Sequence, residues 1–575
     1  MQRSFIGFTS QTVRMLSALA GLSVFVLLLI ALLPPGSTAT SQDAQSEVSQ
    51  KHSRPEFVPG QVLVRYRSER TAARKGLQTL VSTAGRQLSV QLKRFEGSDL
   101  IPGLRLAQVG ADDTMAAIAA LQAQDDVLYA EPNYRWYRTA AIPNDPCFPV
   151  NTLLDCHSTD LYGLNKIGAP QAWDGIKGSR DSVQAGFGTP RVVVGVIDEG
   201  IDTTHTDLIE NIWANPGEVA GNGVDDDSNG FIDDVNGYDF FNNSGAISPA
   251  NHATHVAGII GARGNNNTGV VGVNWQVGLM SLKFLQSNLG STADAIRASA
   301  YAKQMRDRWV NSGGTQGANI RVLNNSWGPD RRIGNGLSVA LRDTILSVAQ
   351  SGILFVVTAG NDAIDNDVDP GYPGSFDLPN LISVAATDRL DALSISSNFG
   401  AGTITMGAPG VGILSTTNGN TYSVMNGTST AAPYVSGAAA LLLAANPNLT
   451  IAQLKGMLIF NGDPLPSLAG KTLTGRRLNV AGSLQALAEN DTTPPGTVTN
   501  FHLNSQNGRF LNVGWIASGD DGAAGTASLY KLTFTDTNTG ETLFLKSVLP
   551  VASGVSQSVD VKLPYRHVSG TLTLR

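Results

Sequence analysis

Five short, apolar-rich runs, at 192–198, 279–285, 320–324, 353–358 and 381–386, alternate along the chain with stretches of helical periodicity. A run such as Val192-Val193-Val194-Gly195-Val196-Ile197 has no polar alternation and so no side that faces water. Strands of this kind belong in a parallel sheet covered on both faces. The intervening stretches at 292–309 and 337–350 read as helices and supply such covers. The pattern predicts an α/β unit, a doubly wound and mostly parallel sheet in which chemistry gathers at the carboxyl ends of the strands. Thr450-Ile451-Ala452-Gln453 has the form of a capping box and opens a further helix that ends near Gly462.

That unit takes up residues 141–489 of a 575-residue chain, and other modules flank it. Arg3 and Arg14 precede an apolar run at 15–33, and Pro34, Ser37 and Ala39 follow. Residues 1–39 therefore read as a secretory signal; an uncleaved membrane anchor is the alternative, since the run is nearly long enough to span a bilayer. Residues 40–56 are a polar linker. Residues 57–140 form a small α+β pattern, with strands at 62–64 and 127–129 and a helix at 114–121. Pro494-Pro495 marks a linker at 490–496. Beyond it, short strands at 498–503, 511–515, 529–535, 559–563 and 571–574 predict a β-sandwich module, 497–575, that stops before its final strand. Composition excludes several classes. Apolar residues at 42% rule out wholesale disorder, and a net charge of −7 with no basic block argues against a nucleic-acid surface. Two cysteines, Cys147 and Cys156, cannot make a four-thiolate zinc site, but they can pair with each other after export.

Three blocks carry the chemistry. Val196-Ile197-Asp198-Glu199-Gly200 delivers an aspartate at a strand end, and Asn251-His252-Ala253-Thr254-His255 places two histidines at the start of an apolar helix. Asn426-Gly427-Thr428-Ser429-Thr430-Ala431 puts a serine at the head of another. A serine hydroxyl is a poor nucleophile until an imidazole takes its proton, and the imidazole needs a carboxylate to fix its tautomer. A helix start adds free N–H groups for a developing oxyanion. Each residue alone has a plainer reading: a structural aspartate, a histidine pair, a helix cap. In the order Asp, His, Ser on one α/β scaffold they make a set. The nucleophile-elbow pattern does not fit, because its last glycine is missing and the order differs.

These blocks resemble those of the subtilisin-like serine proteases over about residues 162–487. The resemblance implies Asp198 as orienting carboxylate, His252 as general base and Ser429 as nucleophile, with His255 a structural neighbour. It implies Asn361, in Thr358-Ala359-Gly360-Asn361, as the oxyanion donor. Ser326, Trp327 and Gly328, with Thr358, Ala359 and Gly360, are expected to bind an extended substrate. Gly371-Tyr372-Pro373-Gly374 resembles the floor of the specificity pocket; a small Gly371 suggests room for a large apolar side chain, with Asp362 at the rim. Three positions depart from the family pattern: Glu199, Ala253 in place of glycine, and Thr430 in place of methionine.

Asp225-Asp226-Asp227-Ser228-Asn229-Gly230-Phe231-Ile232-Asp233 resembles the start of an EF-hand loop, so Asp225, Asp227, Asn229, the Phe231 carbonyl and Asp233 are candidate calcium ligands. Position twelve is Asn236, which leaves Asp234 or Asp239 to complete the shell. Residues 265–270 resemble a second calcium loop, with Asp207 as partner. The segment 57–137 is similar to the family's inhibitory propeptide and implies self-cleavage between about 137 and 145. The C-terminal module resembles fibronectin type III, with Trp515 in its core. Asn-x-Ser/Thr patterns at Asn242, Asn324 and Asn426 are taken as chance. The combined expectation is a secreted, calcium-stabilised serine endopeptidase made as an autoinhibited precursor. Its partners would be protein or peptide substrates and its own propeptide, and a membrane only if the first segment stays uncleaved. The alternatives are a catalytically silent binding or adhesion protein and a membrane-anchored processing protease.

Overall fold

The structure, a computed structural model, describes residues 57–82, 84–134, 141–148, 160–179, 191–488, 496–519, 530–537, 542–563 and 569–574. The expected signal segment, the 40–56 linker, Cys156 and most of the 490–496 linker lie outside the described residues.

The chain divides into two compact units, residues 1–139 and 140–575. In the first, a five-stranded antiparallel sheet runs in the order Leu77–Val81, Gln87–Lys93, Leu104–Gln108, Phe57–Tyr66 and Val127–Tyr134. Strict alternation in Gln87–Lys93 buries Leu88, Val90 and Leu92 on one face. There they meet Ile118 and Leu121 from the helix Thr114–Gln122.

The second unit is built on a nine-stranded sheet. Its central strands are β1 (Val193–Asp198), β2 (Gly278–Lys283), β3 (Ile320–Asn325), β4 (Leu354–Thr358), β5 (Leu381–Thr387) and β6 (Met406–Pro409). They lie side by side in the order β6, β5, β4, β3, β1, β2, and every pairing among them is parallel. Successive residues serve opposite faces. Val194, Val196, Val322 and Val356 join the core on one side, and Val193, Ile197, Leu323 and Val357 join the core on the other. This is the doubly wound arrangement expected from the apolar runs, with strand bounds shifted by one or two residues. The helix Asn251–Gly261 (α1) and the long helix Thr428–Ala445 (α2) cover the first face. Thr292–Asn311 and Val339–Gln350 cover the second. α2 is long and apolar enough to cross a membrane, yet it is buried among the helices and strands of the core. The helix Ile451–Phe460 opens on the capping box, with Thr450 and Gln453 each accepting from the other's backbone N–H.

The C-terminal residues form two three-stranded antiparallel sheets: Thr499–Asn507, Phe510–Ile516 and Ser556–Lys562, and Thr542–Val548, Tyr530–Asp536 and Gly570–Leu574. Trp515, Tyr530, Leu532 and Phe534 fill the space between them, so Trp515 is a core residue. The strand Thr542–Val548 has no counterpart in the sequence expectation. Its Phe544 is buried in the second core of the α/β sheet instead.

Candidate active site

β1 ends on Asp198, which is fully buried, and places it at the carboxyl edge of the sheet. His252 is the second residue of α1, and its Nδ1 lies 2.9 Å from Asp198 Oδ1. The buried carboxylate pushes the His252 imidazole up to about 8, against the effect of burial, and Glu199 adds to the rise. Glu199 also accepts from the Asn288 N–H at 2.7 Å. His255 lies one turn further on, fully buried, with Nε2 within 3.0 Å of the Ile413 carbonyl; burial pushes it down to about 4. It is a neutral structural neighbour. Ala253 sits inside α1 with its methyl buried and φ outside the left-handed region, so the missing glycine costs the backbone nothing.

Ser429 is in the first turn of α2, after Gly427 at φ 145°. Its Oγ makes no hydrogen bond among the described residues, so it is not a helix cap; its carbonyl is held by Ser326 Oγ at 2.9 Å. Asn361 Oδ1 accepts both the Thr428 N–H (2.8 Å) and its hydroxyl (3.0 Å). That arrangement leaves the Asn361 Nδ2–H groups to point at the cleft. A Cβ on residue 427 would lie 3.2 Å from Ser429 Oγ and 3.4 Å from Asn361 Nδ2, so glycine keeps the space between the Ser429 hydroxyl and the Asn361 amide open. His252, Ser429 and Asn361 line one cleft of about 560 Å3, together with Phe284, Trp327 and Glu199. Thr430 donates to the Gly427 carbonyl at 2.9 Å and steadies the same turn.

A second cavity, of about 200 Å3, opens beside Ser429 and is lined by all six residues expected to bind substrate: Ser326, Trp327, Gly328, Thr358, Ala359 and Gly360. Gly371 and Gly374 form part of its wall, as expected, but Gly371 is not an open floor, because the Arg331 guanidinium lies over it. Sequence reading missed Arg331, and it also missed Thr428, which ties Asn361 to α2. Neither carries a spacing signal.

The acidic loop differs from the EF-hand order. Asp225 closes its own turn, accepting from the Asn229 N–H at 2.9 Å and the Gly230 N–H at 2.8 Å. Asp233 faces away and accepts from the Asn222 and Gly223 N–H groups, both at 3.1 Å. Asn229 presents its amide N–H to Asp227 and Asp234, and Phe231 packs its ring on Tyr238, Phe240 and Tyr301. Asp239 accepts from Asn242 and sits 3.7 Å from Lys283 Nζ; Asn236 donates to the Trp213 carbonyl. The carboxylates that do converge, with oxygens within 4.8 Å of one another, are Glu218, Asp227 and Asp234. Short polar side chains in turns bond the nearest N–H, and this takes Asp225 and Asp233 out of the cluster. Glu218 Oε2 and Asp227 Oδ1 are buried and accept no hydrogen bond, and Arg308 stands 3.5 Å from the latter. Burial raises Asp234, and the neighbouring Asp227 adds to this. An all-oxygen, acceptor-only cluster of this kind fits a calcium ion. Around residues 265–270, Asp207 is fully buried and accepts from Asn266 and the Val270 N–H, each at 2.8 Å. Asp145 accepts from the Asn265 N–H at 2.7 Å and leaves a buried oxygen unbonded, so this second site also fits a cation.

The profile of the Peptidase_S8 subtilase family matches residues 189–479, and that of a fervidolysin N-terminal prodomain matches residues 43–133. A thermophilic serine proteinase from Bacillus sp. (strain AK1) is 30% identical over 437 residues, 75% of this chain and 89% of its own. The chain belongs to the subtilase family. Subtilisin-like protease 1 of Plasmodium vivax is 33% identical over 353 residues, 58% of this chain; the chain spans about half the length of that relative, 52%. A cold adapted subtilisin-like serine proteinase of known crystal structure aligns over 97% of its length and 56% of this chain, at 26% identity and a TM-score of 0.41. In this subtilase the N-terminal unit is a prodomain, as its resemblance to the family propeptide implied.

Proposed function

We propose that the chain is a secreted, calcium-stabilised serine endopeptidase, made as an autoinhibited precursor that cuts itself. The observation that carries this reading is the 2.9 Å contact between His252 Nδ1 and Asp198, in a cleft shared with an uncommitted Ser429 hydroxyl. Ser429 Oγ attacks the scissile carbonyl while His252 Nε2 takes its proton and passes it to the leaving amine. Asp198 holds the Nδ1–H and stabilises the imidazolium. The Asn361 Nδ2–H and the Ser429 N–H, which at this helix start has no partner among the described residues, receive the oxyanion. Water then enters by the same route in reverse and frees the acyl group. The substrate lies extended along Ser326–Gly328, its P1 side chain in the cavity that Thr358–Gly360 closes from the other side.

Glu218, Asp227 and Asp234, and separately Asp207 with Asp145, are the residues that would hold calcium. Bound there, the cation neutralises carboxylates that otherwise repel one another. Export is supported by the apolar run at 15–33 and by Cys147, which is disulfide-bonded. Maturation is expected at or before Ala141. The Ala141 N–H donates to Asp174 at 2.6 Å, Asp145 is bonded to Asn265, and the Cys147 N–H donates to the Gly269 carbonyl at 3.0 Å, so residues from 141 onward are tied into the catalytic unit.

Intact masses of wild type and Ser429→Ala, expressed with calcium, test the reading. Loss of the segment ending near residue 140 in wild type alone supports it. Loss in both assigns maturation to another protease, and loss in neither favours a silent scaffold.

A further inference from the structure

The side-chain cavity next to Ser429 contains a cation that the family resemblance did not lead one to expect. Arg331 projects into its lining from the loop after Gly328, with 11% of its side chain exposed. Its guanidinium lies flat on Gly371: a Cβ there would come 2.5 Å from Nη2 and 2.9 Å from Cζ. One end of the group is anchored. Nη1 donates to the Asp369 carbonyl at 2.7 Å and pairs with its carboxylate at 3.0 Å. Nη2 donates to Oδ1 of the fully buried Asn366 at 2.7 Å, and Asn366 is held in turn by the Ala359 carbonyl at 3.0 Å. Nε makes no hydrogen bond among the described residues, and the Asp362 carboxylate stands 3.7 Å from it, beyond hydrogen-bonding distance. The cavity thus presents one edge of a fixed planar donor fork, with a carboxylate at the rim.

We propose that Arg331 determines the P1 preference of this enzyme, and that the pocket takes glutamine ahead of large apolar side chains. A carboxamide oxygen completes the Nε–Nη2 edge, while its NH2 donates to Asp362. A leucine or phenylalanine side chain would displace water from the guanidinium and return no hydrogen bond. A lysine would meet the guanidinium charge head on. Glutamate ranks below glutamine because Asp362 and Asp369 already stand at the same cation.

The proposal rests on the endopeptidase reading, and two measurements keep the two separable. Wild type and Arg331→Ala are assayed on peptides that differ only in P1: Gln, Glu, Lys, Leu and Phe. In wild type, kcat/KM for Gln is expected to exceed that for Leu and Phe by about 10-fold or more, the range of a hydrogen bond to a charged group. Arg331→Ala is expected to reverse that order. Asp362→Asn is expected to raise Glu relative to Gln, and Gly371→Ala, which pushes the guanidinium off its seat, to act like Arg331→Ala. Leu or Phe first in wild type, or an unchanged order in both Arg331→Ala and Gly371→Ala, overturns the proposal. Calorimetry on wild-type protein freed of the segment ending near residue 140, by its own action or by an added protease, with product peptides ending in each P1 residue, reads the pocket without the reaction. Tighter binding of the Gln-ended peptide supports the assignment even if no peptide is ever cleaved. Binding without preference overturns it whether or not cleavage occurs.

Discussion

His252 faces Asp198 directly and has Glu199 as a further acidic neighbour, and that combination sets a pH dependence. A general base works only when neutral, so with the imidazole near 8 the kcat/KM profile is expected to rise with pH and reach half its plateau near that value. Asp198 supplies most of the shift, so Glu199→Gln should move the midpoint downward by a smaller step while activity is kept; a pH–rate titration of both proteins checks this. Asn361→Ala is expected to lower kcat by about 10²–10³-fold, the usual cost of one oxyanion donor, with little change in KM. Asp198, His252 and Ser429 stood out in the sequence because the types and order of such residues are constrained by chemistry, and the structure places His252 Nδ1 2.9 Å from Asp198. Arg331 did not: a surface-looking arginine in Pro329-Asp330-Arg331-Arg332 gives no sign that Asn366 and Gly371 will seat it in a pocket. Thr428 was equally silent, since only the folded turn brings it under Asn361.

Among the elements, the apolar strands declared themselves because burial on both faces leaves no polar residue to blur the pattern. The prodomain strands Leu77–Val81, Gln87–Lys93 and Leu104–Gln108 were not singled out: each is short, and the alternation in Gln87–Lys93 was passed over where no apolar run drew notice. The capping box at Thr450 was readable from four residues because it is a local device. Thr450→Ala removes one cap acceptor and is expected to destabilise the protein by about 1 kcal/mol, to be measured by denaturant unfolding with catalysis unaffected. The acidic loop shows where local reading fails. Asp225, Asp227 and Asp233 are chemically alike, and which of them turns inward depends on the N–H groups that the turn at 222–230 happens to offer.

Across the whole molecule, the C-terminal sheets are not a free bead on the catalytic unit. Phe544 is buried with Leu341, Ile345 and Phe376, its carbonyl accepts from Arg342 at 3.2 Å, and the Ser547 N–H donates to Asp377 at 2.9 Å. Phe544→Ala is expected to cost about 3–5 kcal/mol and to separate one melting transition into two in calorimetry. Chelation should lower the melting temperature as well. A cation at 100 times its Kd contributes about 2.7 kcal/mol, and Glu218→Gln with Asp234→Asn should make the protein less sensitive to the chelator. The lashing of Asn361 to Thr428 has a consequence of its own. The proposed nucleophile and the proposed oxyanion donor are referenced to the same turn of the same helix, so if α2 slides or the sheet flexes, both travel together and the gap between them keeps its width. His252 is mounted on a different helix. The machine therefore has a single joint where play can enter, between imidazole and hydroxyl, and wear, heat or mutation elsewhere in the scaffold should register there first.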